Sequence, residues 1–303
     1  MPSWQAKCFN LAVKTLIRRR RWGRDDTGVA RRARRLFGAM PAYQWLRTRG
    51  LKVTPVSDEA VKGEWVATHS ADDGVIMYIH GGGFVACSSA THRPITAALA
   101  RLGKLRVFAI DYRLAPEHRY PAAVEDLLKG YRWLLAGGHS PERITIAGDS
   151  AGGSLVLSLL QKLRDKGGPM PASGVCFSPW TDLTGTGETV RSNDGKCAMF
   201  RPENMAEFAK AYLGSDAAAV PDAAPFSGEF SGMPSMLFQA GSTELLLDDS
   251  RRVHEKILAA GGESELEIYE DVFHGWQMLD GIVPEARTAL TSAAKFIRRS
   301  MIL

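Results

Sequence analysis

The decapeptide Ile144-Thr145-Ile146-Ala147-Gly148-Asp149-Ser150-Ala151-Gly152-Gly153 constrains the fold of this 303-residue chain more than any other stretch. Its first four residues read as a short buried strand, a Gly-Asp-Ser-Ala-Gly turn follows, and Leu155 opens an apolar run of helical character. A strand that turns straight into a helix leaves no room for side chains where the two cross, and Gly148 and Gly152 meet that need. Ser150 at the apex is expected in a strained backbone conformation that presents its hydroxyl to solvent. The helix amino terminus behind it would aim the Ala151 N–H and a positive dipole at the same point. A bare Gly-x-Ser-x-Gly can also be a phosphate-binding turn, so the partners of the serine decide its meaning.

The rest of the chain supplies a rhythm of strands and helices. Strands are expected at Glu64–His69, Val75–Ile79, Arg106–Ile110, Ile144–Ala147, Val175–Phe177, Ser235–Ala240 and Glu265–Tyr269. Helices are expected at Pro94–Leu102, Ala122–Ala136, from the turn to Leu163, Pro202–Tyr212, about Asp248–Ala260 and about Glu285–Arg299. Strands such as Val75-Ile76-Met77-Tyr78-Ile79 are apolar without alternation, as a strand covered on both faces requires. The expected fold class is therefore α/β, a mostly parallel central sheet with helices on both faces. Residues 184–232 break the rhythm and read as an insertion that covers a site.

A serine hydroxyl needs a base, and that base needs an orienting acid. His274, in Val272-Phe273-His274-Gly275-Trp276, follows the last expected strand and falls at the carboxyl edge of the sheet beside Ser150. His80 belongs to a glycine loop, and His69, His92, His118, His139 and His254 lack such a strand-end position. Glu244 lies on the turn just beyond the strand ending at Ala240, where it would reach the imidazole. Asp248 and Asp249 read as the start of the next helix, Asp182 as a second candidate acid, and Asp111 as a structural partner of Arg113. Gly81-Gly82-Gly83, after a buried strand, would turn amides toward a developing oxyanion together with the Ala151 N–H, an effect worth about 3 kcal/mol per donor.

Three motifs together, His80–Phe84, Asp111–Ala123 and Gly148–Gly153, resemble the hormone-sensitive lipase family of esterases within the α/β-hydrolase superfamily. The resemblance spans about residues 65–280. It implies an α/β-hydrolase fold with a helical cap formed by about residues 1–50 and 184–215 on a single domain of 303 residues. It implies Ser150, Glu244 and His274 as catalytic residues and Gly82, Gly83 and Ala151 as oxyanion donors. The activity implied is hydrolysis of short- to medium-chain carboxylic esters through an acyl-enzyme, with no cofactor and no metal. One departure concerns the acid: the family's Asp-Pro-Leu-x-Asp stands here as Glu244-Leu245-Leu246-Leu247-Asp248. Cleavage of an amide or carbamate, or a non-catalytic receptor on the same scaffold, are the alternative readings. Phe84, Trp180, Phe273 and Trp276 are candidates to line the substrate pocket.

Charge is uneven. Eleven Lys and Arg against two Asp give residues 1–35 a charge of +9, so the remainder carries −4 of the overall +5. A mildly acidic body argues against nucleic-acid binding. The order of apolar and basic residues is the reverse of a secretory signal, and the apolar stretch is too short to span a membrane. Trp4 to Ile17 reads as an amphipathic helix packed on the body, with the Arg18–Arg21 run in water; the competing reading is a helix lying on an anionic membrane. Leu36, Phe37, Met40, Trp45 and Leu46 suggest a second helix ended by Gly50. Four cysteines without paired or metal-type spacing fit a reducing, cytoplasmic compartment, and a homodimer is left open.

Overall fold

Strands β3 (Val75–Ile79) and β5 (Ile144–Asp149) are buried along their whole length and form the centre of an eight-stranded sheet in the computed structural model. The structure describes residues 1–19, 22–23, 25–38, 40–214 and 221–301. The other strands are β1 (Lys52–Ser57), β2 (Lys62–Ala67), β4 (Arg106–Ile110), β6 (Ser173–Phe177), β7 (Ser235–Gly241) and β8 (Ser264–Tyr269). They lie in the order β1-β2-β4-β3-β5-β6-β7-β8. β2 pairs antiparallel with β1 and β4, and every other pairing is parallel. The expected mostly parallel sheet is present, with its antiparallel part confined to one edge.

Because successive side chains point to opposite faces, each central strand feeds two cores. Val75, Met77 and Ile79 face one core with α5 (Ala122–Ala136), α6 (Ala151–Asp165) and α9 (Leu247–Ala259). Ile76 and Tyr78 face the other with α4 (Arg93–Gly103) and α10 (Pro284–Ser300). Helices therefore cover both faces, and the loops at the carboxyl ends of β3, β5, β7 and β8 meet on one edge.

Over that edge lie α1 (Trp4–Val13), α2 (Asp26–Leu36) and α3 (Pro41–Thr48), with α7 (Glu188–Ser192) and α8 (Pro202–Leu213) from the insertion. The second expected amino-terminal helix is in fact two. Asp25 caps α2 by accepting the Gly28 N–H, α2 stops at Leu36, and Pro41 starts α3 afresh. Arg18 also departs from expectation. It is buried, donating to the carbonyl oxygens of Cys197 and Phe200 and pairing with Asp194, so it fastens the amino-terminal segment to the insertion. Arg19 is exposed; Arg20 and Arg21 lie outside the described residues. No helix among the described residues is long and apolar enough to cross a membrane.

The turn from β5 into α6 is as tight as its glycines require. A Cβ on Gly152 would lie 2.1 Å from the Ile79 carbonyl oxygen, and one on Gly148 would lie 2.7 Å from the same atom. Behind the turn sits a buried polar cluster. The Asp149 carboxylate accepts from the Tyr78 hydroxyl at 2.7 Å, the Gly81 N–H at 3.0 Å and His92 Nε2 at 3.2 Å, tying β5 to the glycine loop after β3. His80 stacks on Tyr112 with ring centroids 4.3 Å apart, and its Nδ1–H donates to the Gly81 carbonyl at 2.8 Å. Burial, reinforced by neighbouring His92, pushes the His80 imidazole down to about 4. Asp111 does not partner Arg113: it accepts from the Ser89 N–H and hydroxyl, while Arg113 pairs with Asp126.

Two outcomes follow from this packing. Gly152→Ala forces a methyl onto a backbone oxygen that cannot yield, so unfolding in urea should show a loss of about 3 kcal/mol or more. An unchanged midpoint would contradict the close crossing. For His80, the unfolded chain binds more protons than the folded one between its ordinary value near 6.5 and about 4, so stability falls on acidification through that window. In His80→Asn the same pH series should show a shallower fall.

Candidate active site

Ser150, Glu244 and His274 are each held by a different strand end, after β5, β7 and β8. Ser150 follows β5 at φ 53° and ψ −122°, a strained conformation maintained because its N–H donates to the Phe177 carbonyl at 2.8 Å and its carbonyl accepts from the Trp180 N–H at 3.1 Å. Its hydroxyl lies 2.8 Å from His274 Nε2. His274, in the loop after β8, donates through Nδ1 to Glu244 Oε2 at 2.5 Å. That bond fixes the tautomer, leaving Nε2 unprotonated and able to take the serine proton. His274 and Glu244 are both buried, so this chain of hydrogen bonds is shielded from water.

Glu244 is anchored at its second oxygen as well. Oε1 accepts from the Ser178 hydroxyl at 2.6 Å and the Gly241 N–H at 2.7 Å, and Asn193 Nδ2 donates to the Glu244 carbonyl at 2.9 Å. The other candidate acids are engaged elsewhere. Asp248 accepts from the Thr189 N–H. Asp249 accepts from the Thr181 and Asp182 amides, while Asp182 holds Thr184, Thr186 and Arg252. Both Asp248 and Asp249 fall in the first turn of α9, as their sequence position implies. The chain sequence does not mark Ser178 or Asn193 as holders of the acid. A signal for Ser178 existed, namely a polar residue directly after a buried strand next to the one that carries Glu244.

The glycine loop forms the opposite wall. Gly82 and Gly83 adopt φ 113° and 62°, and a Cβ on Gly83 would lie 2.4 Å from the Phe208 ring. Their N–H groups donate to no acceptor among the described residues, and both glycines line the cavity beside Ser150. Ala151 is the first residue of α6, so its N–H has no partner within the helix, although its side chain is fully buried and lies off the cavity wall.

Ser150 and His274 open into a cavity of about 330 Å³ walled mostly by apolar side chains. Phe9, Val13 and Ile17 enter from the amino-terminal segment, Phe37 and Met40 from the link between α2 and α3, and Met199, Phe200, Met205 and Phe208 from the insertion. Phe200 meets the His274 ring edge-on with centroids 5.3 Å apart. Of the four aromatic residues singled out in the sequence, Trp180 and Phe273 line this cavity. Phe84 instead stacks on Tyr212 at 3.9 Å, and Trp276 is fully buried in a separate core with Val272. The i, i+4, i+8 spacing of Phe9, Val13 and Ile17 is the sequence signal that could have placed these three on the pocket side.

Residues 76–278 match the family model described as alpha/beta hydrolase fold. An acetyl-hydrolase from Streptomyces hygroscopicus is 38% identical over 78% of this chain and 79% of its own length. An esterase from Acinetobacter venetianus is 35% identical over 86% of this chain and 84% of its own. The crystal structure of an esterase from the bacterial hormone-sensitive lipase family superposes with a TM-score of 0.89 at 36% identity, covering 99% of both chains. By the family model over residues 76–278 and the whole-chain superposition at 36% identity, the chain belongs to the hormone-sensitive lipase family of α/β hydrolases.

Proposed function

We propose that the protein is a serine carboxylesterase acting on short- to medium-chain acyl esters. The observation that carries this reading is the relay of hydrogen bonds Ser150–His274–Glu244 at the floor of an apolar cavity. Relatives named acetyl-hydrolase and esterase support it. Ser150 Oγ attacks the ester carbonyl carbon while His274 Nε2 accepts its proton, and Glu244 stabilises the imidazolium that forms. The carbonyl oxygen takes the negative charge within reach of the Gly82, Gly83 and Ala151 amides. His274 returns the proton to the departing alcohol, leaving an acyl group on Ser150. A water molecule deprotonated by His274 then releases the acid and restores the serine.

In this reading residues 1–50 and 184–215 act as a cap that supplies the walls of the acyl site. Phe200, Phe208 and Met205 offer only apolar contact, which favours a hydrocarbon acyl group over a polar one.

A p-nitrophenyl ester series from acetate to palmitate tests the proposal. kcat/KM should be highest between butyrate and octanoate and fall away at palmitate. Ser150→Ala should lower kcat by about 10⁴-fold or more, and Glu244→Gln by about 10³-fold or more. Full activity in Glu244→Gln would move the acid elsewhere, and turnover of anilides but not esters would favour amide chemistry. Ser178→Ala removes one of the two bonds at Glu244 Oε1, so kcat should drop about ten- to a hundredfold with KM little changed. A KM effect alone would show that Ser178 does not act through the acid.

A further inference from the structure

The outward faces of the amino-terminal helices remain unexplained by the site beneath them. Among the described residues, seven of the ten exposed large apolar side chains fall within the first 46 positions, so the apolar surface is concentrated on one side of the molecule. On α1 the inward face carries Ala6, Phe9 and Val13, whereas Trp4, Lys7, Cys8 and Leu11 repeat at helical spacing on the outward face. Trp4 is 71% exposed and Leu11 65%. On α3, Tyr43 and Gln44 line the cavity while Trp45 at 65% and Leu46 at 55% face outward.

The two helices belong to one rim. Ser3 donates its N–H and hydroxyl to Glu285, just after exposed Ile282, and Gly281 lies against the Arg47 guanidinium that follows Leu46 in α3. Met40 is both 56% exposed and part of the cavity wall, which places this rim at the mouth. Lys7 and Arg19 are exposed on the amino-terminal segment, and Arg31 and Arg35 on α2. Three carboxylates adjoining the surface are engaged inward: Glu285 with Ser3, Asp194 with Arg18, and Asp280 with Arg47 and Arg287.

We infer that this rim docks on an anionic lipid surface. Tryptophan and leucine side chains enter the boundary between headgroups and acyl chains, and surrounding Lys and Arg meet the lipid phosphates, the composition that interfacial helices use. Charge complementarity selects this occupant. The first 35 residues carry +9 in sequence against −4 for the remainder, and Lys7 and Arg19 are exposed on the described part of that segment, so its charge favours a negatively charged partner. Docking brings Met40 and the mouth of the cavity onto the membrane, so an ester dissolved in the bilayer reaches Ser150 without crossing water. Only that last consequence rests on the esterase reading; the docking itself does not.

Cosedimentation of the full chain with vesicles of phosphatidylcholine alone, or with about 30% phosphatidylglycerol, tests the inference, with Ser150→Ala run in parallel so that binding is read apart from turnover. Both proteins should bind the anionic vesicles, bind neutral ones at least tenfold more weakly, and be released by high salt. Trp4→Ser combined with Trp45→Ser should weaken binding about tenfold or more, and Lys7→Glu combined with Arg19→Glu to a similar degree. Hydrolysis of p-nitrophenyl butyrate in solution should be unchanged in both double variants, which shows that they remain folded. Absence of binding to anionic vesicles overturns the inference. So does full binding by the tryptophan variant, or a dimer in size-exclusion chromatography that the tryptophan variant converts to monomer, since the rim would then cover a second copy.

Discussion

The structure depends on how closely α6 is allowed to approach the strands beneath it. At Gly152 the distance from a hypothetical Cβ to the Ile79 carbonyl oxygen is 2.1 Å, so the helix can cross β3 only because that position has no side chain. The crossing sets everything at the reactive edge. It holds Ser150 at positive φ and places Ala151, the first residue of α6, directly after it. It also brings Asp149 against the glycine loop, whose Gly81 N–H it accepts. The strain at Ser150 is maintained by two backbone bonds, its N–H donating to the Phe177 carbonyl and its carbonyl accepting from the Trp180 N–H, while the Gly81 N–H holds the adjoining Asp149 carboxylate.

Much of this was legible in the sequence because the chemistry is local there. Gly148 and Gly152 announce the crossing, uninterrupted apolar strands announce a sheet covered on both faces, and the positions of Glu244 and His274 after successive strand ends bring them to Ser150. Asp248 was harder to set aside. The geometry separates it from Glu244, since Asp248 is spent on the Thr189 amide and, of the two, it is Glu244 that meets the imidazole. What stayed hidden depends on contacts between distant segments. Ser178 reaches Glu244 across 66 positions, and Arg18 reaches Asp194 across 176, so no window of sequence reveals either. Phe84 and Trp276 mislead for the reverse reason: they sit near strand ends, yet Phe84 stacks on Tyr212 and Trp276 is fully buried with Val272, so neither lines the cavity.

The amino-terminal segment serves two surfaces. Phe9, Val13 and Ile17 complete the wall of the cavity, and Arg18, the first of the basic run, is drawn inside to grip the carbonyls of Cys197 and Phe200. Phe200 in turn meets the His274 ring, so the segment is linked through packing to that imidazole. Its outward face carries tryptophan, leucine and lysine instead.

If Ser150 is a nucleophile made reactive by His274, it should react selectively with an electrophile that mimics an ester. Intact-mass analysis after incubation with an alkyl p-nitrophenyl phosphonate measures that directly, because the reagent captures the activated oxygen as a stable adduct. One adduct per chain is expected, on the peptide that contains Ser150, formed at least a thousandfold more slowly when His274 is replaced by asparagine. Labelling at another residue, or labelling of Ser150 at the same rate without the imidazole, would contradict it.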